Sequence, residues 1–126
     1  MTEFQWRYNA VIRDEKAIYD ADTVTLFVDL GFKTFTQIRA RLYGIDAWEV
    51  RGPEREMGKE ARDWLRQTIA GKTVEIESFK DKTGKFGRWL VVIYLHKDGE
   101  RININQKLID MGFAEENYYG NPPKED

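Results

Sequence analysis

The 126-residue chain contains no cysteine. Disulfides, thiolate zinc sites and cysteine nucleophiles are therefore excluded. It has one histidine, His96, in LHKDGER, which reads as a strand end passing into an exposed turn. Chemistry that needs two imidazoles is excluded with it, as are histidine-rich metal sites. No apolar run approaches the ~18 residues that span a bilayer. The first residues, MTEFQWRYNAVIRDEK, lack the charged-then-apolar pattern of a secretion signal. The expectation is a cytoplasmic protein in the form given, or a secreted one whose leader has been removed, with no membrane partner. A basic surplus is also missing: the formal net charge is −2 and the pI about 5.5. Nucleic-acid binders usually show the opposite balance. The charge is uneven, however. Lys80, Lys82, Lys85 and Arg88 face only Asp81, and the last dozen residues are net acidic. What remains for catalysis is carboxylates, arginines, lysines and tyrosines.

Apolar residues make up 41% and charged residues 33%, ordinary for one soluble domain of this length. Residues 6–13 can form a strand. In 22–30, Val24, Leu26, Val28 and Leu30 alternate with Thr23, Thr25 and Asp29, the period of a half-buried strand. Residues 33–45 continue as a third strand with Ile38, Ala40 and Leu42 inward, so the first half is a three-stranded meander. A helix follows. Pro53 suits its first position, and Glu54 and Glu56 suit its dipole. Met57, Ala61, Trp64, Leu65, Thr68 and Ile69 form its core stripe, and Gly71 ends it. Residues 73–79 and 88–95 are two further strands, the second almost wholly apolar and therefore central. Their link, KDKTGKFG, reads as an exposed hairpin loop. Asn103 caps a second helix near 104–111, and Gly112 stops it. Five strands in the order β-β-β-α-β-β-α describe a mainly β protein, an OB-fold barrel with helices. The domain is expected over 1–117, with a polar acidic tail over 118–126.

Three clusters carry candidate chemistry. Asp20 and Asp22 lie in YDADTVTL, and Asp22 shares the inward parity of Val24 and Leu26. A carboxylate there is either a hydrogen-bonded turn aspartate or a metal ligand. RLYGIDAWEV brings Arg41, Asp46 and Glu49 past a strand end, with Gly44 as a bend. Oxygen ligands suit hard cations, and a guanidinium fork matches phosphate oxygens. An Arg–Asp pair beside a helix-approach glutamate is the equally open alternative. The third cluster is GKFGR, where Arg88 opens the central strand. Phe86, Tyr118 and Tyr119 can stack on bases, and the lysines can steer a polyanion. Together these residues meet the needs of phosphodiester hydrolysis: a cation held by aspartates, a carboxylate for water, and two arginines for the phosphoryl oxygens.

In order along the chain, DADTVTL, RLYGIDAWE, a helix containing GKEA, DKTGKFGR before an apolar strand, and INQKLIDMGFA resemble the staphylococcal (thermonuclease-like) nuclease family. The resemblance runs from about Tyr8 to Tyr118. It implies an OB-fold barrel and Ca2+-dependent endonucleolytic cleavage of DNA and RNA, leaving 3′-phosphates; the candidate stacking rings make single strands the expected substrate form. It implies that Asp22, Asp46 and the Ala47 backbone carbonyl bind calcium, with Asp20 in support. Glu49 is then the general base or the residue that orients water, and Arg41 and Arg88 bind the phosphate. Phe86 and Tyr118 fall beside the nucleotide, while Lys85 is expected to bind nucleic acid through the charge of its loop. DAWE stands where the family carries DTPE, so Ala47 and Trp48 replace threonine and proline, and Ala21 replaces a glycine. A monomer is expected. The alternative within the same fold is a non-catalytic module that binds nucleic acid or protein.

Overall fold

The computed structural model describes residues 6–79 and 89–117. The alternating apolar segments become strands whose inward residues fill one core. β1 (Trp6–Val11), β3 (Thr23–Asp29) and β4 (Phe35–Leu42) form the expected antiparallel meander. A short β2 (Ile18–Asp20) hooks onto the start of β3 through an irregular register. β6 (Thr73–Phe79) pairs with β1 on one edge and β7 (Trp89–Lys97) on the other. β7 runs parallel to β4, with Ala40 opposite Trp89 and Leu42 opposite Val91. The circuit β1–β3–β4–β7–β6–β1 therefore closes a five-stranded barrel. Closure removes the open strand edges of the five. The result is the mainly β OB-fold read from the sequence. Ile12, Val24, Leu26, Leu42, Ile76 and Ile93 fill its interior.

Between β4 and β7 the chain must cross over, because parallel neighbours cannot be joined by a tight hairpin. That crossover contains β5 (Ile45–Ala47), α1 (Arg55–Ile69) and β6. Pro53 sits in a 3-10 turn, Gly52–Glu54, just ahead of α1 rather than at the first α-helical position. The helix buries Gly58, Ala61, Leu65 and Ile69. Met57, expected in the core stripe, is 47% exposed. Gly58 takes the inward place instead, because the backbone of the preceding loop passes too close for any side chain. Arg66 ties α1 to the barrel, its Nε and Nη2 donating to the Ile18 carbonyl at 3.2 and 2.9 Å. Leu30, expected inward, is 43% exposed, since β3 has ended at Asp29 and the chain is already turning.

β7 turns into β8 (Glu100–Asn103), and α2 (Ile104–Asp110) follows. Asn103 caps it, its Oδ1 accepting from the Gln106 amide at 3.0 Å. Asn105 is buried and fully used. Its Oδ1 accepts from the Ile93 amide, and its Nδ2 donates to the Tyr43 and Val91 carbonyls. This one amide locks α2 against the parallel junction of the barrel. β9 (Ala114–Glu116) then pairs with β5 in a separate two-stranded ribbon.

His96 lies on β7 rather than in the turn, and is exposed as expected. Its Nε2 is 2.7 Å from Glu75 Oε1, and Arg101 grips the other oxygen at 2.9 Å. The Arg101 and His96 hydrogen bonds hold the Glu75 carboxyl well below its usual 4.5, at about 2. A depressed acid stabilises the fold above its unfolded pKa, and that contribution is lost as pH falls through the folded value. Glu75→Gln should therefore lower Tm at pH 7. The difference from the parent should close between about pH 4.5 and pH 2, as thermal melts across that range would show.

Candidate active site

Gly44 makes the bend that creates the site. Its φ of 80° lies in the left-handed region open to glycine, and it turns β4 back into β5. β5 then passes close to Arg41. Ile45 and Ala47 point into the core while Asp46 faces out. β9 holds β5 from the other side, with Asp46 opposite Glu115 and Ala47 opposite Ala114. The Trp48 amide donates to the Phe113 carbonyl at 3.3 Å, and the Asn117 amide to the Gly44 carbonyl at 2.8 Å.

Arg41 stands at the centre. Its Nη1 is 3.2 Å from Asp22 Oδ2, and its Nη2 is 3.4 Å from Asp46 Oδ1. Nη2 also donates to the Ile45 carbonyl at 3.2 Å. Asp22 is 4% exposed, and its other contacts are a backbone amide of β5 and the adjacent Thr23. Oδ2 accepts from the Ala47 amide at 3.0 Å, and Oδ1 accepts from Thr23 Oγ1 at 3.1 Å. Burial pushes the Asp22 carboxyl up from its usual range; the Arg41 charge, the Ala47 amide and Thr23 oppose that push, and Asp20 adds slightly to it. Asp22 is an inward acid, as its parity with Val24 and Leu26 implies. Its first partner is Arg41.

The Ala47 amide is spent on Asp22, not on β9. In an antiparallel ladder, alternate residues turn both backbone groups away from the partner strand. The Ala47 carbonyl therefore lies on the Asp22 side of the ribbon. Asp20 ends β2 and pairs in register with Thr23, beside Asp22. Glu49 is exposed two residues beyond Ala47, with its amide donating to Glu54 Oε2 at 3.3 Å. Its carboxylate has no partner among the described residues. Arg88, Lys85, Phe86 and Tyr118 lie outside the described residues, as do Lys80, Lys82 and Tyr119.

Three features of the site do not show in the sequence pattern. The first is β9, whose AEE segment is too short for its alternation to give much signal. With it comes Glu115, an acid directly across from Asp46. Like charges in that relation destabilise a sheet unless a cation offsets them. The second is Trp48, whose indole Nε1 donates to the Gly112 carbonyl at 2.9 Å. That anchor restrains the loop that leads to Glu49. The third is Gly58. A Cβ built on it would lie 1.9 Å from the Glu49 carbonyl oxygen and 2.6 Å from the Val50 nitrogen. A glycine inside an amphipathic helix was the available signal, since such a residue weakens the helix unless packing requires it.

Compared with protein families, residues 39–126 match the family described as staphylococcal nuclease homologue. The chain belongs to this family. No curated protein matches it closely enough to count as a relative. As a staphylococcal nuclease homologue, the chain has Arg41, Asp46, Ala47 and Glu49 inside the matched span, together with Lys85, Phe86, Arg88 and Tyr118. Asp20 and Asp22 precede it. The contacts of Asp22 with Arg41 and Ala47 connect those earlier residues to the matched ones. Among the described residues, no helix is long and apolar enough to cross a membrane.

Proposed function

We propose that the protein is a metal-dependent endonuclease that hydrolyses phosphodiester bonds of DNA and RNA. One observation carries this reading. Arg41 is held between the Asp22 and Asp46 carboxylates, while the nearby Glu49 carboxylate is uncommitted among the described residues. A purely structural ion pair needs no third, unpaired acid on an adjoining loop.

Calcium is the proposed cofactor, and the donor set fits it. The available donors are oxygens: the Asp22 and Asp46 carboxylates and the Ala47 carbonyl on the same side. Among the described residues no three acidic side chains converge tightly enough to hold an ion alone. Ala47 and water would complete the shell, as is common for this hard cation. When bound, the ion would neutralise the two aspartates and polarise the phosphate. Asp20 and Glu115 add negative charge nearby.

The chain's own groups supply the rest. Glu49 orients a water, or takes its proton, for in-line attack on phosphorus. The bond from phosphorus to the 5′ oxygen breaks, leaving a 3′-phosphate and a 5′-hydroxyl that takes up a proton. Arg41 and Arg88 stabilise the charge that builds on the phosphoryl oxygens. Lys85 attracts the backbone, and Phe86 and Tyr118 stack on bases, so single strands are preferred. All these groups come from one chain, so a monomer suffices.

Glu49→Gln tests the assignment. It removes a general base while keeping size and polarity. Cleavage of denatured DNA should fall by roughly 10²–10⁴-fold, with affinity for a non-cleavable oligonucleotide little changed. Cleavage at the parent rate would overturn the role given to Glu49.

A further inference from the structure

On the outside of the barrel, the β3–β4 register sets a row of side chains leading away from Arg41. Thr23 lies opposite Arg41, Thr25 opposite Arg39, Phe27 opposite Gln37, and Asp29 opposite Phe35. Side chains alternate faces along a strand, so these eight share the outer face. Their neighbours Val24, Leu26, Val28 and Ala40 are buried, as that alternation requires.

Two arginines on this face lie over aromatic rings. The Arg39 guanidinium carbon is 4.7 Å from the centre of the Tyr19 ring. The Arg13 carbon is 4.2 Å from the centre of the Phe27 ring. Phe27 in turn stacks on Phe35, with centroids 5.0 Å apart and planes 10° apart. Tyr19 and Phe35 are each 46% exposed. Neither arginine has a carboxylate partner among the described residues. Two aspartates lie within the patch, and each accepts from a backbone amide: Asp14 from Ala17 at 3.2 Å and Asp29 from Gly31 at 2.8 Å. An open hollow of about 200 Å³ lies beside Arg13, Phe27 and Tyr19, with Lys16 and Asp14 on its wall.

A guanidinium seated on a ring keeps its N–H edge free for phosphate oxygens. Exposed rings spaced among such cations accept unstacked bases whatever their sequence. From Arg41 to Phe35 the row is about 20 Å long at ~3.3 Å per residue. That length holds a few nucleotides. We propose that this face is a track for single-stranded nucleic acid, running from Arg41 over Arg39 and Tyr19 to Arg13, Phe27 and Phe35. The track rests on the nuclease reading for its purpose, and it names the substrate form. A duplex hides the base faces that the rings would take, so single strands bind it best.

The test measures binding without cleavage. Fluorescein-labelled oligothymidylates of about three and about twelve nucleotides are titrated in chelator with the parent, Arg13→Gln/Arg39→Gln, and Arg13→Lys/Arg39→Lys. The glutamine pair should weaken the longer oligomer roughly tenfold or more and leave the shorter one within about twofold. It should also flatten the salt dependence by about 1.4 in log–log slope, near 0.7 for each phosphate of a single strand that is no longer neutralised. The lysine pair should recover the slope but only part of the affinity, because lysine keeps charge and forgoes the stacked plane. Unchanged affinity and slope for the longer oligomer would overturn the track, and so would an equal weakening for both lengths. Because no cleavage is read, a protein that binds in this manner yet never cuts DNA would refute the nuclease reading and leave the track standing.

Discussion

Replacing Arg41 with lysine should lower the rate of cleavage of denatured DNA by roughly 10³-fold or more. An arginine that meets the charge building on a transferring phosphoryl group contributes on the order of 10³–10⁵ in rate elsewhere. Arg41 reaches three acceptors at once: Asp22 Oδ2, Asp46 Oδ1 and the Ile45 carbonyl. A lysine ammonium is a compact point charge and cannot span that arrangement. The substitution thus does two kinds of damage. Asp22 is almost fully buried, and it loses the guanidinium that most offsets its burial. On the proposed mechanism, the phosphate also loses a two-pronged donor. The interaction strengthens as charge develops, so kcat should fall further than KM rises. Steady-state kinetics with calcium present would check both parameters. A near-parent kcat would remove Arg41 from the chemistry.

Gly58→Ala should have the largest effect on stability and a marked one on activity, although Gly58 contributes no side chain to the site. The added Cβ would meet the Glu49 carbonyl oxygen at 1.9 Å and its carbon at 2.2 Å. Both are backbone atoms, so no rotamer change relieves the clash. Either α1 tilts away or the loop carrying Glu49 moves. Overpacking of this kind typically destabilises by ~1–3 kcal/mol, and a clash with fixed backbone places this case at the upper end. A Tm drop of roughly 10 °C follows for a domain of this size. Below that Tm the folded variant should still cleave about 10²-fold more slowly, because a displacement near 1 Å of a catalytic group has an effect of that order. Thermal melts and rates measured well below Tm separate the two effects. A variant with the parent's rate at low temperature would show that the loop does not rely on Gly58.

The strands of the barrel were readable because their residues alternate. Val24, Leu26 and Val28 announce their face, and the structure buries all three. Asn103 and Gly112 marked the ends of α2 through cap chemistry that is local in sequence. Asp22 could be recognised as an acid on the wrong face, and its need for a partner followed from burial alone. Its bond to the Ala47 amide spans 25 positions, which no local pattern reports. The same limit hid β9. Three residues have too little periodicity to be read as a strand, yet β9 fixes the edge of β5 that carries Asp46 and Ala47. Met57 was misplaced because helical spacing counts apolar residues and takes no account of a backbone pressing on the next position, Gly58. The row Arg39, Gln37, Phe35 was invisible for a related reason: the pairing of Arg39 with Tyr19 and of Arg13 with Phe27 appears only once β2, β3 and β4 lie side by side.

The most direct test is the fate of denatured DNA incubated with the parent protein in calcium and, in parallel, in excess chelator. The account predicts progressive fragmentation to pieces bearing 3′-phosphates with calcium present, and intact strands with chelator. Strands that stay intact in both tubes, or fragment equally in both, would contradict a calcium-dependent cleavage centre at Asp22, Arg41, Asp46 and Glu49.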